Sequence, residues 1–284
     1  MRQAAYFSVL PEAVVRCELC PHHCIIRPGE RGACRVRENQ AGVLYARNYG
    51  VTTGIALDPV EKKTLAHFHP GEYILSAGTW GCNLKCFFCQ NWRIAQAGEP
   101  ECAQAITAAE LIRQAQAAGS FGIAYTYNEP AVWFEFVREC APAARQAGLD
   151  NVLVTNGYIC REPLRELLPY IGAMNIDIKA MDDEFYRQRC RGSLAPVLET
   201  IITAKQHCHV ELTNLVIPTL NDRDEHFVRL ADWISRYAGA DTPLHVSRYF
   251  PCYRAALPPT PRETLERAYA LARRKLKFVY VGNV

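Results

Sequence analysis

From Tyr73 onward the chain alternates short β-branched, apolar runs with amphipathic stretches, and this alternation limits the possible folds more than any other feature. The strand candidates are Tyr73–Thr79, Ile123–Tyr127, Asn151–Thr155, Ala173–Ile178, His209–Ile217, Leu244–Arg248 and Lys277–Val281. Helix signals lie between them. Thr107-x-x-Glu110 has the capping-box pattern, and Gly119 is placed to end that helix. Pro130 suits a first helical turn and Gly148 its end, with a kink expected at Pro142. Asp222-x-x-Glu225 and Thr260-Pro261-x-Glu263 are expected to open two later helices. Repeated β-then-α units predict a parallel sheet with right-handed crossovers. Six units plus a seventh strand suit a partial or complete (β/α) barrel over residues 71–284. Residues 1–70 are instead rich in Cys, Pro, Gly and Arg and read as a small N-terminal module with its own metal site.

The 284 residues are 49% hydrophobic and 21% charged, enough to bury a full core. A formal charge of +3 gives no argument for a nucleic-acid partner. The basic cluster Arg273 to Lys277 is expected at a helix C-terminus, where cations complement the dipole. No apolar run approaches the roughly 20 residues that span a bilayer. The first ten residues hold too short an apolar stretch for a secretory signal. Thirteen cysteines without such a signal point to a reducing, cytoplasmic setting and to metal ligation rather than disulfides.

Three of those cysteines dominate the chain as Cys82-x3-Cys86-x2-Cys89, just after the first strand candidate. Three thiolates can wrap one metal centre but leave it a ligand short. Iron–sulfur clusters normally take four thiolates, so a cubane on three carries one iron open to another ligand. The rival is a closed, structural zinc site completed by Cys102. Phe87 and Phe88, between two of the ligands, would shield such a centre from water or simply pack the loop.

Polar clusters stand at the ends of the following strands: Asn128-Glu129-Pro130, Thr155-Asn156-Gly157, Asp177-Ile-Lys179, Pro218 to Asp222, and His245-Val-Ser-Arg248. Parallel barrels build their sites from the loops at the C-terminal ends of the strands. Asp177 and Lys179 share a strand face, so they serve one site or pair with each other. His245 and Arg248 lie three apart and face opposite sides of a regular strand. A second cysteine set, Cys17-x2-Cys20-x3-Cys24-x9-Cys34, contains His22 and His23 and turn-forming glycines. Structural zinc and an auxiliary [4Fe–4S] cluster both fit it. Cys140, Cys160, Cys190, Cys208 and Cys252 are scattered and read as small buried hydrophobes.

The Gly-Cys-Asn-Leu-x-Cys-x-x-Cys-x-Asn context resembles the cluster loop of radical S-adenosylmethionine (SAM) enzymes. With Cys-Glu-Leu-Cys-Pro-His-His-Cys, Gly-Glu-Arg-Gly-Ala-Cys-Arg-Val-Arg and Tyr-Thr-Tyr-Asn-Glu-Pro, nearly the whole chain resembles the radical SAM proteins of the AmmeMemoRadiSam system. These are relatives of the pyruvate formate-lyase activating enzymes. The resemblance implies a partial (β/α)6 TIM-like barrel, a [4Fe–4S] cluster on Cys82, Cys86 and Cys89, and SAM as co-substrate. It implies SAM contacts from Asn128 and Glu129, where the family often carries Gly-Gly-Glu-Pro. Thr155, Asn156, Asp177 and Lys179 correspond to Asp-Thr-Asn-Gly and Asp-Leu-Lys segments; Val154 replaces the first aspartate of the former. One of His245 and Arg248 is expected to contact SAM or the substrate, while His245 taken alone reads as a satisfied structural histidine. The implied reaction is cleavage of SAM to methionine and a 5′-deoxyadenosyl radical, which takes hydrogen from a peptide, protein or small molecule. A flavodoxin- or ferredoxin-like electron donor is implied, together with either a glycyl-radical partner enzyme or AmmeMemo-type partner proteins. The non-enzymatic alternative is a structural-zinc or electron-transfer iron–sulfur protein.

Overall fold

The computed structural model describes residues 1–96 and 98–284. Eight strands form one sheet: β1 (Gly54–Pro59), β2 (Tyr73–Gly78), β3 (Gly122–Tyr125), β4 (Asp150–Thr155), β5 (Ala173–Asp177), β6 (His209–Val216), β7 (Leu244–Arg248) and β8 (Val279–Gly282). Spatial order follows chain order, with β1 and β8 at the two edges, so the sheet stays open. β1 pairs antiparallel with β2. Every later pairing is parallel. The six crossovers run through α1 (Ala108–Ala117), α2 (Phe134–Gln146), α3 (Arg161–Leu167), α4 (Ala195–Lys205), α5 (Asp224–Ile234) and α6 (Arg262–Arg273). This is the mixed α/β, mostly parallel arrangement of a partial TIM-like barrel.

β3 reads as a continuous apolar run because both of its faces are covered, and all four of its residues are buried. α1 buries Ala108, Leu111, Ile112 and Ala115, a helical stripe. Its start is the expected capping box: Glu110 N–H donates to the Thr107 hydroxyl, and Thr107 N–H donates to the Glu110 carboxylate at 2.8 Å. Truncating Leu111 to Ala would cost about 2–5 kcal/mol, a lost transfer term plus a cavity.

Two expected helix starts differ. α5 begins at Asp224 with Arg223 as its N-cap, so Asp222 lies outside the helix and Asp224 and Glu225 fill the first turn. α6 begins at Arg262. Thr260 is not its cap: the hydroxyl donates to Val216 O at 2.6 Å and accepts from Tyr249 N at 3.0 Å, which ties two strand ends together. Pro130 opens a 3₁₀ turn (Pro130–Trp133) that leads into α2, and α2 continues through Pro142.

The N-terminal residues form two small antiparallel sheets, with strands ending at Ala46 and Ile26 respectively. β1, which precedes residue 70, pairs with β2 and belongs to the barrel sheet. β1 is an edge strand with several exposed positions, so it lacks the apolar run that marked the other strands. Residues 64–67 then run toward the N-terminal ends of β5 and β6. Asn175 donates to Thr64 O at 2.9 Å, and the Ala66 and His67 N–H groups donate to Glu211. A buried ion pair, Arg37 to Glu135 at 2.8 Å, locks the module to α2; the two side chains are 1% and 2% exposed. Among the described residues no helix is long and apolar enough to cross a membrane.

Candidate functional site

The chain leaves β2 and turns at Gly81, whose φ is +90°. A Cβ there would meet Val36 Cγ1 at 2.5 Å and Cys34 O at 2.8 Å, so the close approach of the two cysteine segments requires glycine. Asn128 braces the turn. Its carbonyl oxygen accepts from Thr79 N at 3.0 Å and its amide donates to Gly81 O at 2.9 Å. The loop beyond is pinned by Lys85 N to Cys190 O (2.7 Å), Phe87 N to Arg189 O (3.3 Å) and the Gln96 amide to Leu84 O (2.9 Å).

This bracing brings Cys82, Cys86 and Cys89 to one cavity of about 700 Å³, which Phe88 also lines. Burial and the nearby Glu129 carboxylate push the Cys82 thiol well above its usual range. The Cys190 thiol and burial do the same for Cys86, and burial together with Cys86 pushes Cys89 up to about 11. Burial raises the half-buried Cys208 and the buried Cys140 in the same way, so these shifts report the enclosure of the three thiols. Leu84 N–H and the Asn156 amide point at Cys82 Sγ, at 3.4 Å and 3.6 Å.

Asn128, Glu129, Thr155, Asn156, Asp177, Lys179 and His245 all line the same cavity. The buried Glu129 carboxylate accepts from Thr155 Oγ1 (2.7 Å), Asn156 N (2.8 Å) and Ala131 N (2.9 Å). Burial nevertheless raises its carboxyl above the usual value. Gly157, at φ +71°, would drive a Cβ to 2.9 Å from Ile176, so the turn after Asn156 also needs glycine. Lys179 and Asp177 pair at 2.7 Å. Burial disfavours the Lys179 charge, but the Asp177 carboxylate beside it holds it well above the usual lysine range. The Lys179 backbone is fixed by Tyr186 Oη and by the Asn221 amide, at 3.0 Å and 2.8 Å. Arg248 stands apart from the cavity lining. Its guanidinium donates to Thr260 O at 2.8 Å and lies over Phe250, on the face opposite His245.

Asp177, Thr213, His245 and Tyr280 are register partners across β5 to β8 and form one row on the cavity face. Thr213, Ser247, Tyr280 and Tyr127 line the cavity without having been singled out in the sequence. The two-residue strand period, counted from His245, would have found Ser247. Tyr127 carries no such signal; it sits at φ +70° with its hydroxyl on Asp58 at 3.0 Å.

Cys17, Cys20, Cys24 and Cys34 line a second, smaller pocket with His22, Leu19 and Ile26. Burial pushes Cys17 up to about 11, and Ala33 N–H points at Cys24 Sγ at 3.4 Å. His22 Nε2 bonds Asn83 O at 2.7 Å, next to Cys82. Among the described residues no three His, Cys, Asp or Glu side chains are gathered to hold a single ion. Both cysteine sets line pockets rather than closing on a point. Cys102 is exposed, with its thiol at 4.0 Å from Thr53 O, and does not join Cys82, Cys86 and Cys89. Cys140 and Cys190 are buried, whereas Cys160, Cys208 and Cys252 are half-buried.

The sequence profile of the Radical SAM superfamily matches residues 78–231, the segment that carries the cysteine loop and the Glu129, Asn156 and Lys179 strand ends. An uncharacterized protein of Methanocaldococcus jannaschii is 46% identical over 288 aligned residues, covering 100% of this chain and 86% of that protein. The pyruvate formate-lyase 1-activating enzyme of Escherichia coli is 26% identical over 159 residues, covering 54% of this chain and 65% of that enzyme. The crystal structure of a radical SAM methyltransferase from Sphaerobacter thermophilus shares the fold at a TM-score of 0.60 and 16% identity, over 76% of this chain and 67% of that one. Membership of this superfamily implies a [4Fe–4S] cluster and SAM. The chain belongs to the radical SAM superfamily and is an enzyme of that type, similar to the pyruvate formate-lyase activating enzymes.

Proposed function

We propose that this enzyme cleaves SAM reductively to methionine and a 5′-deoxyadenosyl radical, which takes a hydrogen atom from a peptide, protein or small-molecule substrate. One observation carries the reading: three thiols and the Glu129, Asn156 and Lys179 groups face a single cavity large enough for a nucleoside cofactor. Cys82, Cys86 and Cys89 would hold a [4Fe–4S] cluster, which would supply the electron for SAM cleavage. The Lys179 ammonium has three donors, of which Asp177 takes one, so it can also bind the SAM carboxylate. Glu129 Oε2 accepts one hydrogen bond from Asn156 and can accept another from the methionyl amino group. Phe88, among the cavity walls, excludes water from the thiols. A flavodoxin- or ferredoxin-type protein would deliver the electron.

The test is anaerobic reconstitution with iron and sulfide, followed by dithionite and SAM. The cluster-loaded protein is expected to form 5′-deoxyadenosine, and Cys86→Ala to abolish it. A loaded wild type that forms none would falsify the reading.

A narrower reading follows from the similarity to the pyruvate formate-lyase activating enzyme: the hydrogen comes from a glycyl residue of a partner protein. A glycyl radical signal on a co-incubated pyruvate formate-lyase-type protein would support it; its absence with full SAM turnover favours another substrate, such as one shared with AmmeMemo-type proteins. Cys17, Cys20, Cys24 and Cys34 would hold a second centre, zinc or an auxiliary [4Fe–4S] cluster. Metal and sulfide content of the wild type against a Cys17/Cys20 double variant decides which.

A further inference from the structure

At the strands farthest from the cysteine loop, β6 to β8, the cavity is lined by Thr213, His245, Ser247 and Tyr280. Beside them lies Glu211, its side chain fully buried on the inner face of β6. Its two oxygens accept from Ala66 N (2.9 Å), His67 N (2.7 Å), His209 Nε2 (3.0 Å) and His245 Nε2 (2.6 Å). Burial alone would raise this carboxyl, but the bonds from His209 and His245 and the two backbone N–H groups hold it well below the usual carboxylate range. An ionised carboxylate only accepts, so the network assigns the His245 proton to Nε2. In the neutral ring, that tautomer leaves a lone pair on Nδ1. The ring is also stacked on Tyr280 at 5.2 Å, and the Tyr280 hydroxyl is bonded to His67 Nε2 at 2.6 Å. Thus His245 is oriented on one edge and one face, and no described residue engages its Nδ1.

We propose that His245 Nδ1 is the acceptor of a substrate subsite that reads a hydroxyl or amide N–H group, and that Glu211 is the positioning residue fixing its tautomer. The inference rests on the SAM reading above, which places the cofactor against Cys82, Glu129, Asn156 and Lys179 and leaves the β6–β8 end for the substrate. A lone pair there favours a neutral donor and disfavours a carboxylate. Of the SAM and substrate contacts that the sequence leaves open, it gives His245 the substrate one.

The test uses the full-length, iron- and sulfide-reconstituted protein with isotope-labelled histidine, read by ring-nitrogen NMR. His245→Gln identifies the resonance by its loss. The Nε2–H tautomer is expected, with the Nδ1 resonance shifting on addition of N-acetylglycinamide or glycerol and not of acetate. No response to either neutral probe, an equal response to acetate, or an equal response to SAM alone overturns the proposal. Glu211→Gln is expected to turn the single tautomer into a mixture and to lose the probe response, whereas a folded variant with wild-type spectra refutes the positioning role. The wild-type measurement decides the subsite even where that variant does not fold. Calorimetric SAM binding on the same sample separates the two readings. SAM binding without a probe response sinks the subsite alone, while a cluster-loaded sample that binds no SAM sinks the reading beneath it as well.

Discussion

The side-chain amide of Asn156 points at Cys82 Sγ from 3.6 Å, while the backbone N–H of Asn156 donates to Glu129 at 2.8 Å. One residue at the end of β4 thus couples the cluster loop to the carboxylate at the end of β3. The same amide donates to Asn83 Oδ1 at 3.0 Å, and the Asn156 carbonyl oxygen accepts from Tyr158 N at 2.8 Å.

Hydrogen bonds to cluster sulfurs are one of the protein's levers on reduction potential. Asn156→Ala removes a donor aimed at Cys82, and the more electron-rich thiolate makes the centre harder to reduce. A bond of about 1 kcal/mol corresponds to a drop of about 40 mV for a one-electron couple. A redox titration followed by electron paramagnetic resonance checks this; an unchanged potential means the contact does not tune the centre.

Gly81→Ala would strike the junction between the two cysteine segments, since its Cβ would sit 2.5 Å from Val36 and 2.8 Å from Cys34 O. The positive φ adds strain of about 1–3 kcal/mol. A lowered unfolding midpoint together with reduced metal content is the expected result. Loss confined to stability, with full metal loading, would show that the junction does not shape the cysteine loops.

Arg37 and Glu135 are paired inside the protein at 2.8 Å. Removing one partner leaves an uncompensated buried charge, and Arg37→Met or Glu135→Leu is expected to cost roughly 3–5 kcal/mol. The double variant should recover much of that loss, because two apolar side chains replace two desolvated ions. Urea denaturation of the four proteins reads the coupling directly.

Glu211 supplies a pH signature. Its folded carboxyl is held below the unfolded value near about 4.3, so its contribution is fully present above that pH. It is lost as pH falls through the lower folded value. Glu211→Gln should cost about 3 kcal/mol near neutral pH, the scale of charged hydrogen bonds lost. It should also flatten the acid limb of stability against pH. Parallel acid limbs for the two proteins would assign the pH dependence to other carboxylates.

The chain announces the barrel because strands covered on both faces tend to be apolar, as β3 is throughout. β1 does not stand out, because an exposed edge strand needs no such run and is defined by its partner β2 alone. Likewise Thr260 has the letters of a helix cap but spends its hydroxyl on Val216, a carbonyl 44 residues away. Local propensity offers both fates, and packing selects one.

By itself the sequence determined the cysteine loop, the strand ends carrying Glu129, Asn156, Asp177 and Lys179, and their order around a parallel sheet, because spacing and periodicity are local properties. Tertiary structure alone decided which face of β7 looks inward. That choice set His245 against Glu211 and turned Arg248 away to Thr260. It also decided that Lys179 spends a hydrogen bond on Asp177, and that the Cys17 and Cys82 sets meet across Gly81. Most of these relations join residues far apart in the chain, where no periodicity reaches and only the packing of the curved sheet brings the groups together.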